Sequence, residues 1–290
     1  VLALYLKQAY TVPAYFYAHT DWMMFARTVL NFDGHNLARM RRLLRAFYGA
    51  FDGLFVLNSD QRKWLTGSSM GFDASKVFQT AHWADEGFTP RPAGKDKIFG
   101  LKNNEPVVLF AGRVSDEKGV MELPQLYQKL RSKIPGVKIA VAGRGPCEQE
   151  LRAAMPEGIF LGWVDHDELP GVYSAADLLV LPSRFDTFGC VVLEALSCGI
   201  PVVAYNTKGP KDIIVHGETG FLVKNRGEMA EVISKLLRDE KRIKSFRRAA
   251  LKRAEDYSVA KILPRFLDDI GLPAEAALCR ESRDRKKSAG

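Results

Sequence analysis

Six short apolar runs, at 107–111, 139–142, 159–161, 178–181, 202–204 and 221–223, punctuate the chain between residues 105 and 237. They are rich in Val, Ile and Leu and do not alternate with polar residues, which is the pattern of strands buried on both faces. Helical patterns lie between them: 119–133, 147–155, 167–176 with Asp165 or Asp167 as its cap, and 188–198, closed by Gly199 and Pro201. Strand and helix alternating at this spacing dictate an α/β fold with a parallel, doubly wound sheet.

The rest of the chain is organised around that block. Residues 106–257 are expected to form one Rossmann-like domain, its last part made of helices at 226–237 and 240–256. Upstream, 14–18, 53–57 and 76–80 read as strands with a helix at 37–49 between the first two. Residues 1–83 thus read as part of a second Rossmann-like domain, too short for the ~100–150 residues at which domains peak, so its first strands are expected to be missing. The stretch 84–105 holds three Gly and two Pro and reads as a linker. A helix at 258–271 is expected to pack back toward the N-terminal domain, and 272–290 is expected to be a disordered basic tail.

Composition narrows the class. Of 290 residues, 47% are hydrophobic and 26% charged, which excludes a disordered chain, a collagen and a disulfide-stapled miniprotein. No uncharged apolar run reaches the ~18 residues of a membrane span. The first twenty residues have Lys7 inside them and no charged leader, so they do not read as a secretory signal, and Val1 reads as a cut in a longer chain. Cys147, Cys190, Cys198 and Cys279 form no C-x-x-C pair and are expected to be free thiols in the cytoplasm. The net charge of +8 sits at the two ends: residues 1–105 carry 13 basic and 9 acidic side chains, 238–290 carry 15 and 9, and 106–237 carry 14 and 16. No basic stripe with interleaved aromatics crosses the middle, so no nucleic-acid partner is expected.

Three loops hold the chemistry. Strand 107–111 runs into Gly112 and Arg113 and then Ser115-Asp-Glu-Lys118-Gly119. Strand ends in such sheets face the ligand crevice. Two cations near a helix N-terminus suit a diphosphate, although a solvated loop would look the same. A second loop, Gly143-Arg144-Gly145-Pro146, is Gly-rich but lacks the full G-x-G-x-x-G spacing, and a plain βα turn accounts for it. The third places Asp186 just before a helix and Glu194 eight residues later inside it, with Gly189 between. Eight residues are a little over two turns, so one ligand could meet a carboxylate at each end and backbone amides between. Carboxylates accept from hydroxyls, which suits a sugar and a ribose. A Glu among Val192, Leu193, Ala195 and Leu196 is costly unless it is paired or functional.

Residues 105–270 resemble the C-terminal domain of retaining GT-B glycosyltransferases of family 4, the glycosyl transferases group 1. The resemblance rests on Ala-Gly-Arg113 with Glu-Lys118-Gly, the pair Asp186 and Glu194, Gly199-Ile-Pro-Val, Gly217-Glu-Thr-Gly-Phe-Leu-Val, and Tyr173-Ser-Ala-Ala-Asp177. Less firmly, Pro13-Ala-Tyr-Phe-Tyr-Ala-His19-Thr looks like the family's strand that ends in a histidine near the reacting sugar. The resemblance implies two Rossmann-like domains facing a cleft, the N-terminal one incomplete in this chain. It implies a hexosyltransferase acting from a nucleoside-diphosphate sugar donor on a hydroxyl acceptor, either a sugar or a glycolipid, without cofactor or metal.

Carried onto this sequence, the family's roles make Arg113 and Lys118 the cations that neutralise the leaving diphosphate. Asp186 holds hydroxyls of the transferred sugar, Glu194 holds ribose hydroxyls, and His19 is the remaining active-site residue. The expected catalytic set is Arg113, Lys118, Asp186 and His19, and the expected substrate-binding set is Glu194, Phe188, Gly189, Gly112, Arg144, Val164 and Cys190. The family usually has Glu where Asp186 stands, and Ala81-His82-Trp83 replaces the family's usual Asn-Gly; His82 reads as structural. Asp165-His166-Asp167 looks like a metal-binding D-x-D but reads as a helix cap.

Met40, Leu43, Leu44, Phe47 and Tyr48 share one helical stripe with arginines largely elsewhere. That pattern fits a helix packed on its own sheet, with docking on an anionic membrane surface at the inner face as the second reading. A glycoside phosphorylase or epimerase, or a catalytically weak sugar-nucleotide-binding subunit, are the alternative functions.

Overall fold

A computed structural model describes residues 2–102 and 105–272. The expected tail at 272–290, with Cys279, falls almost wholly outside the described residues. The chain divides into two compact units, one of residues 1–82 together with Ala260 onward, the other Trp83–Val259.

The larger unit carries a six-stranded sheet, all parallel: β4 (Val107–Ala111), β5 (Lys138–Ala142), β6 (Ile159–Gly162), β7 (Leu178–Leu181), β8 (Val202–Tyr205) and β9 (Gly220–Val223), numbered after the three strands of the smaller unit. Their order is β6-β5-β4-β7-β8-β9, so the sequence direction reverses at β4. That reversal opens a crevice outside the carboxyl ends of β4 and β7, where such sheets take their ligands. Every residue of β4, β7 and β8 is buried, as their unbroken apolar runs require. Helices cover both faces, and Leu123, Leu126 and Leu130 of helix Leu123–Arg131 pack with Val108, Phe110 and Val141 in one core.

Two of the expected helices begin later than their patterns suggest. Residues 119–133 open with a 3-10 turn at Val120–Glu122, and the α-helix starts only at Leu123, with Pro124 in its first turn. Lys118 therefore sits in its own 3-10 turn, Asp116–Lys118, and not at an α-helix N-terminus. The helix expected over 167–176 is Leu169–Ala175, again with a proline in its first turn, and neither Asp165 nor Asp167 caps it through a side chain. The Asp165 carboxylate instead accepts from the Trp163 indole at 3.1 Å.

The stretch read as a linker is bound to this unit. It contains helix Lys95–Phe99. Lys95 Nζ lies 2.6 Å from Asp177 Oδ2, the same oxygen that accepts from the Val107 amide at 2.7 Å. Arg91 donates to the Ser174 hydroxyl and to the Asp167 carbonyl. Gly and Pro content signals turns but is silent on side-chain anchors of this kind.

The smaller unit is a three-stranded parallel sheet in the order β1 (Tyr15–Ala18), β2 (Gly53–Val56), β3 (Val77–Gln79). Helix Gly34–Tyr48 is capped by Asp33, whose carboxylate accepts from the Asn36 amide at 2.8 Å. Its apolar stripe is divided. Leu44 and Tyr48 are buried on the sheet with Met40 beside them, whereas Leu43 is 68% exposed and Phe47 42%. Helix Val259–Asp269 places Phe266 4.5 Å, ring to ring, from Phe55 of β2. Helices Leu2–Tyr10, Trp22–Thr28 and Ser59–Thr66 complete the unit and have no counterpart in the sequence reading.

Candidate active site

A cavity of about 450 Å³ opens at the carboxyl ends of β4, β5 and β6. Its walls bring together Gly112, Arg113, Arg144, Val164 and Glu194, five residues expected from sequence. Trp163, His166, Leu169, Tyr173 and Val191 line it as well.

Close backbone contact between neighbouring loops builds the floor. Gly143 has φ 136°, and a Cβ there would lie 1.9 Å from the Gly112 carbonyl oxygen. The Gly112 amide donates to Ala142 O at 2.9 Å, and Val114 N donates to Arg144 O at 2.9 Å. The Gly-Arg-Gly loop is thus more than a plain βα turn: it is pressed against the loop after β4, and Arg144 reaches the cavity wall.

On the other side of β4, Gly119, in the left-handed region at φ 70°, abuts the Pro182 carbonyl; a Cβ there would lie 2.2 Å from that oxygen. This contact brings the loop after β4 against the loop after β7. Lys118 Nζ then lies 2.6 Å from Asp186 Oδ1. The Asp186 side chain is only 8% exposed, and its Oδ2 is buried with no hydrogen-bond partner among the described residues. Arg113, 66% exposed, lines the cavity, and its guanidinium lies 3.9 Å from the Glu117 carboxylate.

Helix Cys190–Ser197 starts two residues later than its pattern, with Gly189 as N-cap and Cys190, exposed, as its first residue. Asp186 is therefore in the loop, and the two carboxylates do not share a helical face. Phe188 is 4% exposed and packs edge-on to Tyr257 at 6.1 Å, which commits its ring to the core.

Glu194 is half-buried and accepts from the Tyr173 hydroxyl at 2.7 Å. Burial raises its pKa above the ordinary carboxylate value, while the Tyr173 hydrogen bond acts against that rise. Tyr173 is fully buried, and burial followed by Glu194 drives its phenol well above the usual value. Trp163, His166 and Tyr173 were not read as cavity residues from sequence. The signal for Trp163 is its place just past the end of β6; for Tyr173 it is the i,i+4 spacing from Leu169.

His19 belongs to the other unit, at the end of β1. It is exposed, and its ring stacks on Tyr17 at 4.3 Å and on His82 at 5.5 Å. Burial, then the neighbouring His19, lowers the pKa of His82. Among the described residues, no three His, Cys, Asp or Glu side chains converge as metal ligands. Cys147, Cys190 and Cys198 are free. No described helix is long and apolar enough to cross a membrane.

Residues 94–253 match the family model for glycosyl transferases group 1. The chain belongs to that family. Among curated relatives of this group 1 chain, the sulfoquinovosyl transferase SQD2 of Arabidopsis thaliana is 36% identical over 184 residues, covering 59% of this chain and 35% of that one. The D-inositol 3-phosphate glycosyltransferase of Mycolicibacterium smegmatis is 35% identical over 189 residues, 60% of this chain and 42% of that one. The matched part spans between about a third and a half of these relatives. Among solved structures, Anabaena HepE in complex with UDP superposes with a TM-score of 0.78 at 21% identity, covering 92% of this chain and 74% of that one. S. aureus TarM gives 0.71 at 20% identity, covering 89% and 50%. These likenesses show the fold, the parallel-sheet α/β architecture of GT-B glycosyltransferases.

Proposed function

We propose that the chain belongs to a retaining, family 4 hexosyltransferase that moves a sugar from a nucleoside-diphosphate donor to a hydroxyl acceptor without a metal. The observation that carries this reading is the cavity that Arg113 shares with Glu194, together with the Lys118–Asp186 pair that ties the loop after β4 to the loop after β7, although neither member of the pair is among the residues lining the cavity. Breaking a sugar–phosphate bond builds negative charge on the departing diphosphate. Arg113 and Lys118, both on the loop that follows β4, meet that charge as it develops and lower the barrier electrostatically. The same two cations do the neutralising work that a divalent ion does elsewhere, and the Asp165 carboxylate is engaged by Trp163.

Asp186 takes the transferred sugar. Its Oδ1 holds Lys118, and its buried Oδ2 is an acceptor suited to a sugar hydroxyl. Glu194 takes the ribose. With retention, the departing phosphate itself receives the acceptor's proton, and His19 is assigned to the acceptor's reacting end. The acceptor we favour is a lipid-linked or phosphorylated sugar. The free thiols fit a cytoplasmic setting, and the exposed Leu43 among the arginines of helix Gly34–Tyr48 fits a peripheral contact with the inner face of the membrane.

A thermal-shift panel of UDP-, GDP- and ADP-sugars, followed by turnover with the stabilising donor and NMR of the product anomer, tests this. Stabilisation by one donor family and an α-product from an α-donor are expected. Sugar release that depends on added inorganic phosphate would assign a phosphorylase instead. Inverted product, or no donor binding, would overturn the reading.

A further inference from the structure

Glu194 lines the cavity with one carboxylate oxygen already engaged. Tyr173 donates to its Oε2 at 2.7 Å, and Tyr173 is itself buried, so that bond does not swing aside for a ligand. A ribose offers two hydroxyls, and with Oε2 shared with Tyr173 a second acceptor beside Glu194 would let each hydroxyl have its own. Of the other polar side chains on the cavity wall, Arg113 and Arg144 are donors only, and the Trp163 indole is a donor already used by Asp165. The remaining acceptor is His166.

The imidazole is held in place. His166 Nε2 lies 3.2 Å from Asp85 Oδ2, and the Asp85 carboxylate is in turn tied to the Gly87 amide at 2.7 Å. Phe88, 4% exposed, sits edge-on to the His166 ring at 5.0 Å and to the Tyr173 ring at 6.0 Å. Arg91 then fastens this strap through the Asp167 carbonyl and the Ser174 hydroxyl. In the tautomer that donates Nε2–H to Asp85, Nδ1 is left as an acceptor. The same carboxylate–imidazole arrangement fixes a histidine tautomer wherever one nitrogen must accept.

We propose that His166 is a second ribose-binding residue beside Glu194, accepting one hydroxyl of the donor's ribose, and that Asp85 is its positioning residue. This deepens the donor reading of the cavity and rests on it. It also gives the Asp165-His166-Asp167 segment a role that is neither metal binding nor capping.

The test is calorimetric. The member of UDP, GDP and ADP that binds the wild-type chain most tightly is compared with its 2′-deoxy and 3′-deoxy forms, in the wild type, His166→Ala, His166→Gln and Asp85→Ala. Both positions are more than half exposed, so these variants are expected to fold. In the wild type, loss of either hydroxyl is expected to cost about 5–10-fold in affinity. In His166→Ala one of the two losses vanishes, because its acceptor is gone, while the other persists. His166→Gln restores part of the discrimination through its amide oxygen. Asp85→Ala weakens it with no change in melting temperature. Nucleotide binding with unchanged deoxy ratios in His166→Ala overturns this proposal alone. Failure of all three nucleotides to bind the wild type overturns the donor site itself, and this proposal with it.

Discussion

Lys118 Nζ stands 2.6 Å from Asp186 Oδ1, across a sequence separation of 68 residues. The pair joins the loop after β4 to the loop after β7, the two central strands at which the sheet order reverses. It is close because the left-handed turn at Gly119 lies against the Pro182 carbonyl, and the Ser183 hydroxyl both accepts from Phe185 N and reaches the Glu117 carbonyl. One cation is thereby preset at the crevice, and one carboxylate is oriented with an oxygen to spare.

Removing that cation should separate chemistry from folding. Lys118→Ala is expected to lower kcat by about two to three orders of magnitude, the effect typical of losing one fixed donor at a developing charge. Asp186→Ala should lower activity as well, and Asp186→Glu should keep most of it. Steady-state kinetics together with circular dichroism would check this; full activity in Lys118→Ala would remove that residue from the mechanism.

Glu194 carries a stability cost at neutral pH. Its folded pKa is raised above 4.5, chiefly by burial. Its contribution to stability is therefore fully present below that ordinary value and is lost as pH rises through the folded pKa. Glu194→Gln is expected to be more stable than the wild type at neutral pH, with the gap closing toward about pH 4. Urea denaturation at the two pH values reads the difference, and the same variant should bind nucleotide more weakly.

His82 should behave in the opposite sense. Its folded pKa is lowered from 6.5, first by burial and then by His19. The stability it contributes is present above 6.5 and lost as pH falls through the folded value. His82→Phe keeps a ring for stacking and should flatten the decline of melting temperature between roughly pH 8 and pH 5. An unchanged slope in scanning calorimetry would mean that other groups set it.

The glycine floor gives a stability prediction with its own control. Gly136 has φ 77° and open space around its missing Cβ, so Gly136→Ala should cost only the strain of the left-handed backbone, about 1 kcal/mol. Gly143→Ala meets backbone at 1.9 Å, and no side-chain motion relieves that. It should cost more than about 3 kcal/mol and move Arg144 away from the cavity wall. Chemical denaturation of the two variants side by side reads the contrast.

Much of this was legible in the chain. Strands β4 and β7 coincide with their apolar runs, since a strand buried on both faces leaves no other pattern. Gly112, Arg113, Arg144 and Val164 follow strand ends, where a parallel sheet faces its crevice, and Glu194 stood out as an acid among apolar helix residues. Helix starts were harder to read: Pro124 and Pro170 shift them by local sterics that periodicity does not report. The anchoring of 84–105 was invisible, because Lys95 finds Asp177 across 82 residues. The His166–Asp85 contact was invisible for the same reason, its partners being 81 residues apart.

The central claim is that Arg113 and Lys118 create a seat for a diphosphate beside Glu194. The direct measurement is calorimetry of UDP against UMP, and of GDP against GMP, with the wild-type chain, Arg113→Ala and Lys118→Ala. One diphosphate is expected to bind at least ~10-fold more tightly than its monophosphate, with each variant narrowing that gap, as the loss of a charge-assisted hydrogen bond predicts. Equal binding of mono- and diphosphates to the wild type, or a gap that survives in both variants, would contradict it.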